Sequence, residues 1–370
     1  MSSVVLARES SDASWSLSNY ESVYDVQVNA LSVDQLFELY ERAGFLYPAK
    51  AARLAPHLDT VRENWRRLLQ VGDSLLYVLT AGDERDGYAS VAVWRTTRDS
   101  WVWQHLVSEG HPLQSRAVML GGLVRCVRHG IGESQQNWFR PENRFPARVF
   151  GSMVQSVGES CSSVQRHMFF AVPRQARVPD VGSVQIVPYD PGHHEGLRTV
   201  AARSRGGIYI ASEDLDGDPE LLGVNALYRR AGLSRTRRIW LAYRRGSREA
   251  LGAAMAYRGP LGLNFSFLEN RCDLLLDPAL SDTEAATVSR GLVGASMEAY
   301  ADFELEEIPF VADEKATAAL CAVGGQFLRN YSQGIWLKDG QPRLYGHVDR
   351  FYSRLINRAG RRGVPSSLIA

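Results

Sequence analysis

Glu109 and His111 stand two residues apart in the segment Glu109-Gly-His-Pro-Leu-Gln-Ser-Arg-Ala-Val-Met119. The segment joins a stretch that alternates as a strand does to one with helical apolar spacing. A carboxylate and an imidazole at such a junction can each take a proton from a reacting amine, and His111 titrates near neutrality; the alternative is that both are ordinary loop residues. A second segment, Trp138-Phe-Arg-Pro-Glu-Asn-Arg-Phe-Pro-Ala-Arg-Val-Phe-Gly-Ser-Met153, ends a strand and begins a helix, with Pro141 as the break and Asn143 placed to cap. Cys126, Cys161, Cys272 and Cys321 have no CxxC spacing and are expected to be structural buried thiols, so no metal site is expected. Arginine runs at 229–230, 235–238 and 244–245 could meet phosphates, but acidic residues lie near them.

These residues have to be positioned by a chain of 370 residues, long for one core, with 45% hydrophobic residues and a net charge of +1. A charge so near zero creates no global field for nucleic acid or acidic lipid. No apolar run reaches spanning length and no signal-peptide pattern opens the chain, so a cytoplasmic location is expected. The basic residues are nearly all arginine; Lys50, Lys315 and Lys338 are the lysines.

Residues 1–25 are serine-rich without periodicity and read as a flexible arm. Then come a strand from Val26, a helix behind the capping box at Ser32 and Gln35, interruptions at Pro48 and Pro56, and a helix over 58–70. Strands are predicted at 74–80, 88–96 and 99–107, and a helix over 112–128. The strand–helix–break–strand syllable of 137–172 recurs at 308–337, which points to a tandem repeat. The second half is predicted to carry strands at 239–244, 251–258, 264–268 and 271–276, and a helix over 283–300. Trp101, Trp103, Trp138 and Phe150 are expected to fill a core or a cleft wall. The apolar stripe of 346–356 would lie across the other domain or pair with another subunit, as in a homodimer.

The order β-α-α-β-β-β-α-β-α-β resembles that of the GCN5-related N-acetyltransferases, the GNAT fold, over residues 26–172 and again over 184–338. The resemblance implies an α/β (α+β) class with two tandem GNAT-like domains, each a mixed, mostly antiparallel sheet flanked by helices. A linker at 173–183 would join them, and a C-terminal helix and tail would occupy 339–370. It further implies acetyl-CoA or another acyl-CoA as acyl donor, with its pyrophosphate at a helix N-terminus bearing a Gln/Arg-x-x-Gly-x-Gly/Ala motif. Gln114-Ser-Arg-Ala-Val-Met119 matches that motif, with Ala117 and Met119 where small glycines would stand. The implied donor site is Val107, Gln114, Arg116, Ala117 and Asn143, with Asn143 at the pantetheine arm, and Glu109 or His111 the base. Phe150 stands where the family often has a proton-donating tyrosine. In the second half Asp277, Asp282 and Glu284 would repel the phosphates, so the donor site is expected in the first half.

The function expected is acyl transfer from a CoA or carrier thioester to the amine of a small molecule or peptide. Two alternatives stay open: a non-catalytic regulatory protein on degenerate GNAT folds, and Fem-type aminoacyl transfer, in which tRNA would be the partner. No membrane partner is expected.

Overall fold

The computed structural model describes residues 26–362 apart from 73, 111, 129–131, 177, 179–181 and 183. The predicted arm, His111 and part of the predicted linker lie outside the described residues.

Among the described residues, twelve strands form one mixed sheet in the order β1-β2-β3-β4-β5-β12-β6-β11-β10-β9-β8-β7. The first half supplies β1 (Gln27–Val28), α1 (Val33–Arg42), α2 (Pro48–Leu54), α3 (Leu58–Val71), β2 (Leu76–Asp83), β3 (Gly87–Arg95), β4 (Ser100–Ser108), α4 (Pro112–Arg128), β5 (Ser134–Phe139), α5 (Arg144–Val149), α6 (Met153–Val157) and β6 (Ser162–Pro173). The second supplies β7 (Val184–Pro188), α7 (His194–Arg205), α8 (Gly207–Ser212), α9 (Leu222–Arg230), β8 (Thr236–Arg244), β9 (Ala250–Arg258), β10 (Cys272–Leu276), α10 (Asp282–Ser296), β11 (Glu307–Ala312), α11 (Thr317–Ala322) and β12 (Gln326–Leu337). A terminal helix, α12 (Gln341–Arg362), returns to the first half.

The sequence sets these elements locally. Ser32 caps α1 with the expected reciprocal box to Gln35. Pro48 does not interrupt the chain as expected; it occupies the first turn of α2, where its missing N–H costs nothing. The segment predicted as a strand at 264–268 is a turn followed by a short 3-10 helix. Its backbone is held there from the first half: Asn64 Nδ2 donates to the Leu261 carbonyl at 3.0 Å and Trp65 Nε1 to the Gly262 carbonyl at 3.0 Å. A Cβ on Gly262 would lie 2.2 Å from Val61 Cγ2, at a φ of +71°, so only glycine permits this approach.

β4 and β5 run parallel, as do β10 and β11; the other pairings are antiparallel. The last strands of the two halves are exchanged. β12 pairs with β5 from Ser332↔Phe139 to Leu337↔Ser134, where β6 would lie in a self-contained unit. Reciprocally, β6 pairs with β11 from Glu307↔Pro173 to Ala312↔Met168. β6 and β12 are themselves paired, from Gln326↔Ala171 to Trp336↔Ser162.

α1 and α3 cover one face of the first half, packing Leu36, Phe37, Tyr40, Trp65 and Leu68 on Leu76, Val78, Ala92 and Trp94. α4, α5, α6 and α12 cover the other, on Leu79, Val91, Val93, Trp101 and Trp103. Leu344, Val348 and Tyr352 of α12 are buried there, so the apolar stripe lies across the chain's own first half. Trp101, Trp103, Trp138 and Phe150 are all buried, as expected. Cys126, Cys161 and Cys272 are buried, but Cys321 is exposed at the end of α11, contrary to expectation. Among the described residues no helix is long and apolar enough to cross a membrane.

Because β6 is hydrogen-bonded to two strands of the second half, cutting the connection between 173 and 184 should not separate the halves. With a specific protease site placed there, the cleaved protein should elute as one species in native buffer and as two in urea. Two native species would contradict the exchange.

Candidate functional site

β4 and β5 are paired only from Ser100↔Ser134 to Trp103↔Asn137, although β4 continues to Ser108 and β5 to Phe139. Beyond Trp103 the strands diverge, and the Gln104 side chain spans the gap, its Nε2 donating to the Trp138 carbonyl at 3.0 Å. Where they part, β4 carries a bulge: Ser90 pairs with Val107 and Ala92 with Gln104, so His105 and Leu106 together oppose Val91. His105 has a φ of +56°, the left-handed backbone that a bulge imposes.

A cavity of about 460 Å³ occupies this opening, lined from both faces of the sheet. On one side are Ser115 and Met119 of α4, Phe145 and Phe150, and Tyr352 and Leu355 of α12. On the other are Phe45, Tyr47 and Lys50, with Asn264, Phe265, Ser266 and Tyr331 from the second half. Its lining thus combines residues packed on both faces of the sheet.

Several groups in its wall are polar, buried and without a hydrogen-bond partner among the described residues, among them Asn137 Oδ1, Ser108 Oγ and the two ring nitrogens of His105. His105 is enclosed by rings, with Phe265 at 4.3 Å and Trp65 stacked at 5.5 Å between centroids. Burial, with Lys50 adding to it, holds its pKa well below the ordinary value, so the imidazole stays neutral. Buried polar atoms left unpaired in this way mark places where water, a ligand or chemistry completes the bonding.

The predicted site residues fall in two groups. Val107 and Asn143 reach the cavity wall. Asn143 also caps α5, accepting from the Phe145 amide at 3.3 Å. Gln114, Arg116 and Ala117 lie on α4 behind the wall. Gln114 Nε2 donates to the Asp86 carbonyl at 3.2 Å, bracing the β2–β3 hairpin. Arg116 donates to Asp349 Oδ1 of α12, through Nε at 3.1 Å and Nη2 at 2.6 Å. Ala117 faces the core. Glu109 sits at the rim beside the lining residue Gly110, its carboxylate accepting from Arg42 Nε at 2.7 Å. Sequence reasoning missed Tyr47, Lys50, His105, Asn264 and Tyr331. One available signal was Lys50, a rare lysine in an arginine chain, whose ammonium loses its charge on burial far more readily than a guanidinium does.

The equivalent opening of the second half is filled. β10 and β11 pair only at Cys272↔Phe310 and Asp273↔Val311, but β10 keeps an unbroken register with β9. Arg205, at the end of α7, inserts beside it. Its Nη1 donates to His167 Nδ1 and lies 3.0 Å from Asp313 Oδ1, while Nη2 reaches the Leu274 carbonyl at 3.5 Å. Two of the three acidic residues expected to face an anion, Asp277 and Glu284, are occupied. Asp277 accepts from Arg203 Nη1 at 2.5 Å and from the Ala279 amide at 2.9 Å. Glu284 closes the capping box with Ser281 and accepts from Arg244 at 3.1 Å. Lys315 Nζ fastens the same loop through the Pro278 and Leu280 carbonyls, at 2.6 and 2.7 Å.

No family model matches the sequence, and no curated protein matches it. Among solved structures, the fold is similar to a tandem GNAT protein from the clavulanic acid biosynthesis pathway, at 10% identity and a TM-score of 0.42, over 84% of this chain and 98% of that one. A GCN5-related N-acetyltransferase from Sphaerobacter thermophilus gives 12% identity and a TM-score of 0.42, over 84% and 95%. The Saccharomyces cerevisiae N-myristoyltransferase, solved with myristoyl-CoA, gives 7% and 0.38, over 84% and 78%. Several of the solved structures it resembles are titled GCN5-related N-acetyltransferases, and one is titled a tandem GNAT protein.

The plug of the second opening makes stability pH-dependent. Burial, then the Arg205 charge, lowers the His167 pKa from 6.5 to about 3. Below pH 6.5 the unfolded chain takes up a proton there that the folded chain refuses, so stability falls by up to about 1.4 kcal/mol per pH unit down to about pH 3. Urea unfolding at several pH values should show this slope, and His167→Asn should flatten it. An unchanged slope would contradict the plug.

Proposed function

We propose that the chain is an acyltransferase that moves an acyl group from an acyl-CoA to an amine, with both reactants meeting in the opening between β4 and β5. The observation that carries this reading is the cavity that passes through the sheet at the diverging strands, beside the N-terminus of α4. A thioester bound there supplies the acyl carbon: the amine nitrogen bonds to it, the C–S bond breaks, the amine proton passes to a base and the sulfur leaves as thiolate to be protonated.

The groups present fit such a donor along its length. The diverging strands leave room for an extended amide-bearing chain, and Val107, Asn137 and Asn143 surround it. Gln114, Arg116 and Ala117 would hold the phosphate end, Arg116 exchanging the Asp349 carboxylate for a phosphate through the same forked donors. Glu109, at the rim, and His111, outside the described residues, are the candidate bases. Glu109 is suited to the task only when the nearby Arg42 yields it. His105 offers a neutral imidazole in the wall as a hydrogen-bond partner for the reactants. Phe150 cannot protonate the thiolate, so on this reading that proton comes from another residue or from water.

Calorimetry with acetyl-CoA and longer acyl-CoAs tests the reading. The wild-type protein should bind; Arg116→Ala should weaken binding about tenfold, or about 1.4 kcal/mol. Asp282→Ala, on the filled half, should leave it unchanged. Binding lost at 282 and insensitive to Arg116 would reverse the assignment, and no binding at all would overturn it.

A further inference from the structure

The cavity wall has cations but no carboxylate. Lys50 and Arg140 line it, and among its lining residues there is neither aspartate nor glutamate. Arg329 stands behind them, donating from Nη1 to the Tyr47 hydroxyl at 3.0 Å. Among the described residues neither Lys50, Arg140 nor Arg329 has an ion-pair partner; the carboxylate in this neighbourhood is Glu307, which acts on Arg53. Lys50 Nζ lies 3.5 Å from the centroid of the Phe45 ring and 5.0 Å from that of Tyr47. Rings at this range attract the ammonium but do not neutralise it. Three basic groups around one opening give it a positive potential that attracts an anion.

We propose that this side of the cavity is a carboxylate subsite, and that the acceptor is a molecule carrying a carboxylate as well as its reacting amine. The word acceptor rests on the acyl-transfer reading; the anion rests on the cavity alone. The subsite belongs to the acceptor because of where it lies. Tyr47, Lys50 and Tyr331 line the face of α1 and α2, whereas the α4 N-terminus and α12 lie across the sheet. A carboxylate at Lys50 would be near the Tyr47 and Tyr331 hydroxyls, and its amine would extend toward Gln104 and His105 at the opening. Tyr331 already donates to Ser266 at 2.9 Å, which fixes its ring.

Proton uptake accompanies binding at this site. Burial first, then Arg140 and Arg329, lower the Lys50 pKa from 10.5 to about 7. The groups that face it are Arg140 at the end of β5, Arg329 on β12, neutral His105 on β4, the Tyr47 and Tyr331 hydroxyls, and Arg53 on its own helix. A carboxylate offsets the two arginines and returns the proton to Lys50, so affinity for it should fall as pH rises above about 7.

Ligand-observed NMR with 4-aminobutyrate and 4-aminobenzoate, against butylamine and aniline, tests the subsite. The carboxylates should bind about tenfold or more tighter than the matched amines, and Lys50→Met and Arg329→Met should each remove about that factor. Both variants should keep the wild-type circular dichroism and bind acetyl-CoA as wild type does. Calorimetry of the wild-type protein with 4-aminobutyrate at pH 8, in buffers of different ionisation enthalpy, should show proton uptake, a readout independent of any variant. Amines binding as well as carboxylates, no carboxylate binding, or no proton uptake would overturn the proposal. So would an equal loss of acetyl-CoA in the variants, since the cations would then serve the donor's phosphates. Carboxylate binding as described with no acetyl-CoA binding would leave the subsite standing and sink the acyl-transfer reading instead.

Discussion

The exchange of β6 and β12 is the constraint on which the rest depends. Each half ends its sheet with the other's last strand, so neither has a complete set of hydrogen bonds alone. A strand edge left open in a buried sheet would cost several unsatisfied backbone groups. The exchange therefore fixes the two halves rigidly, and it does so next to the site: β5, which forms one side of the opening, is held on its other edge by β12. The wall of the cavity can then combine residues from both halves without a mobile interface between them.

A buried ionic cluster reinforces this junction. Glu213, after α8, accepts from the Tyr257 hydroxyl at 2.9 Å and lies 3.3 Å from Arg237 and 3.4 Å from Arg271. Arg271 is also paired with Asp273 at 2.7 Å. From β5, Gln136 Nε2 reaches Glu213 at 3.5 Å while its oxygen accepts from Gln333 of β12 at 2.6 Å. Such clusters add little net stability when whole, yet losing one partner costs about 3–5 kcal/mol because a charge is stranded. The cluster thus penalises alternative packings of the two halves more than it favours the observed one.

The repeated element order was legible because periodicity and capping are local. The helix at 112–128, the strands flanking it and the Ser32 box follow from patterns a few residues long. The exchange was not legible: β6 satisfies the same alternation beside β5 or beside β11, and only the three-dimensional partner differs. The site was half legible. Val107 and Asn143 carried family-like positions, but Lys50 was hidden by reading Pro48 as a break when a proline at a first helical turn begins one. His105 was hidden in a strand pattern that conceals the bulge, and Asn264 in a segment whose turn is imposed by Trp65 from 199 residues earlier.

The same topology creates two openings, and their different contents argue for their different roles. Parallel strands that diverge leave a void, and a void lowers stability by the contacts it forgoes. In the second half the void is closed by Arg205, with His167 and Asp313 satisfying its guanidinium. In the first, no described side chain closes it, and a cavity of about 460 Å³ remains. Its wall instead keeps Asn137 and His105 unpaired and buries Lys50 beside Arg140 and Arg329, with no ion-pair partner among the described residues. A chain that can plug this kind of gap, and does so once, retains the other in a costly polar form because the missing contacts are supplied from outside.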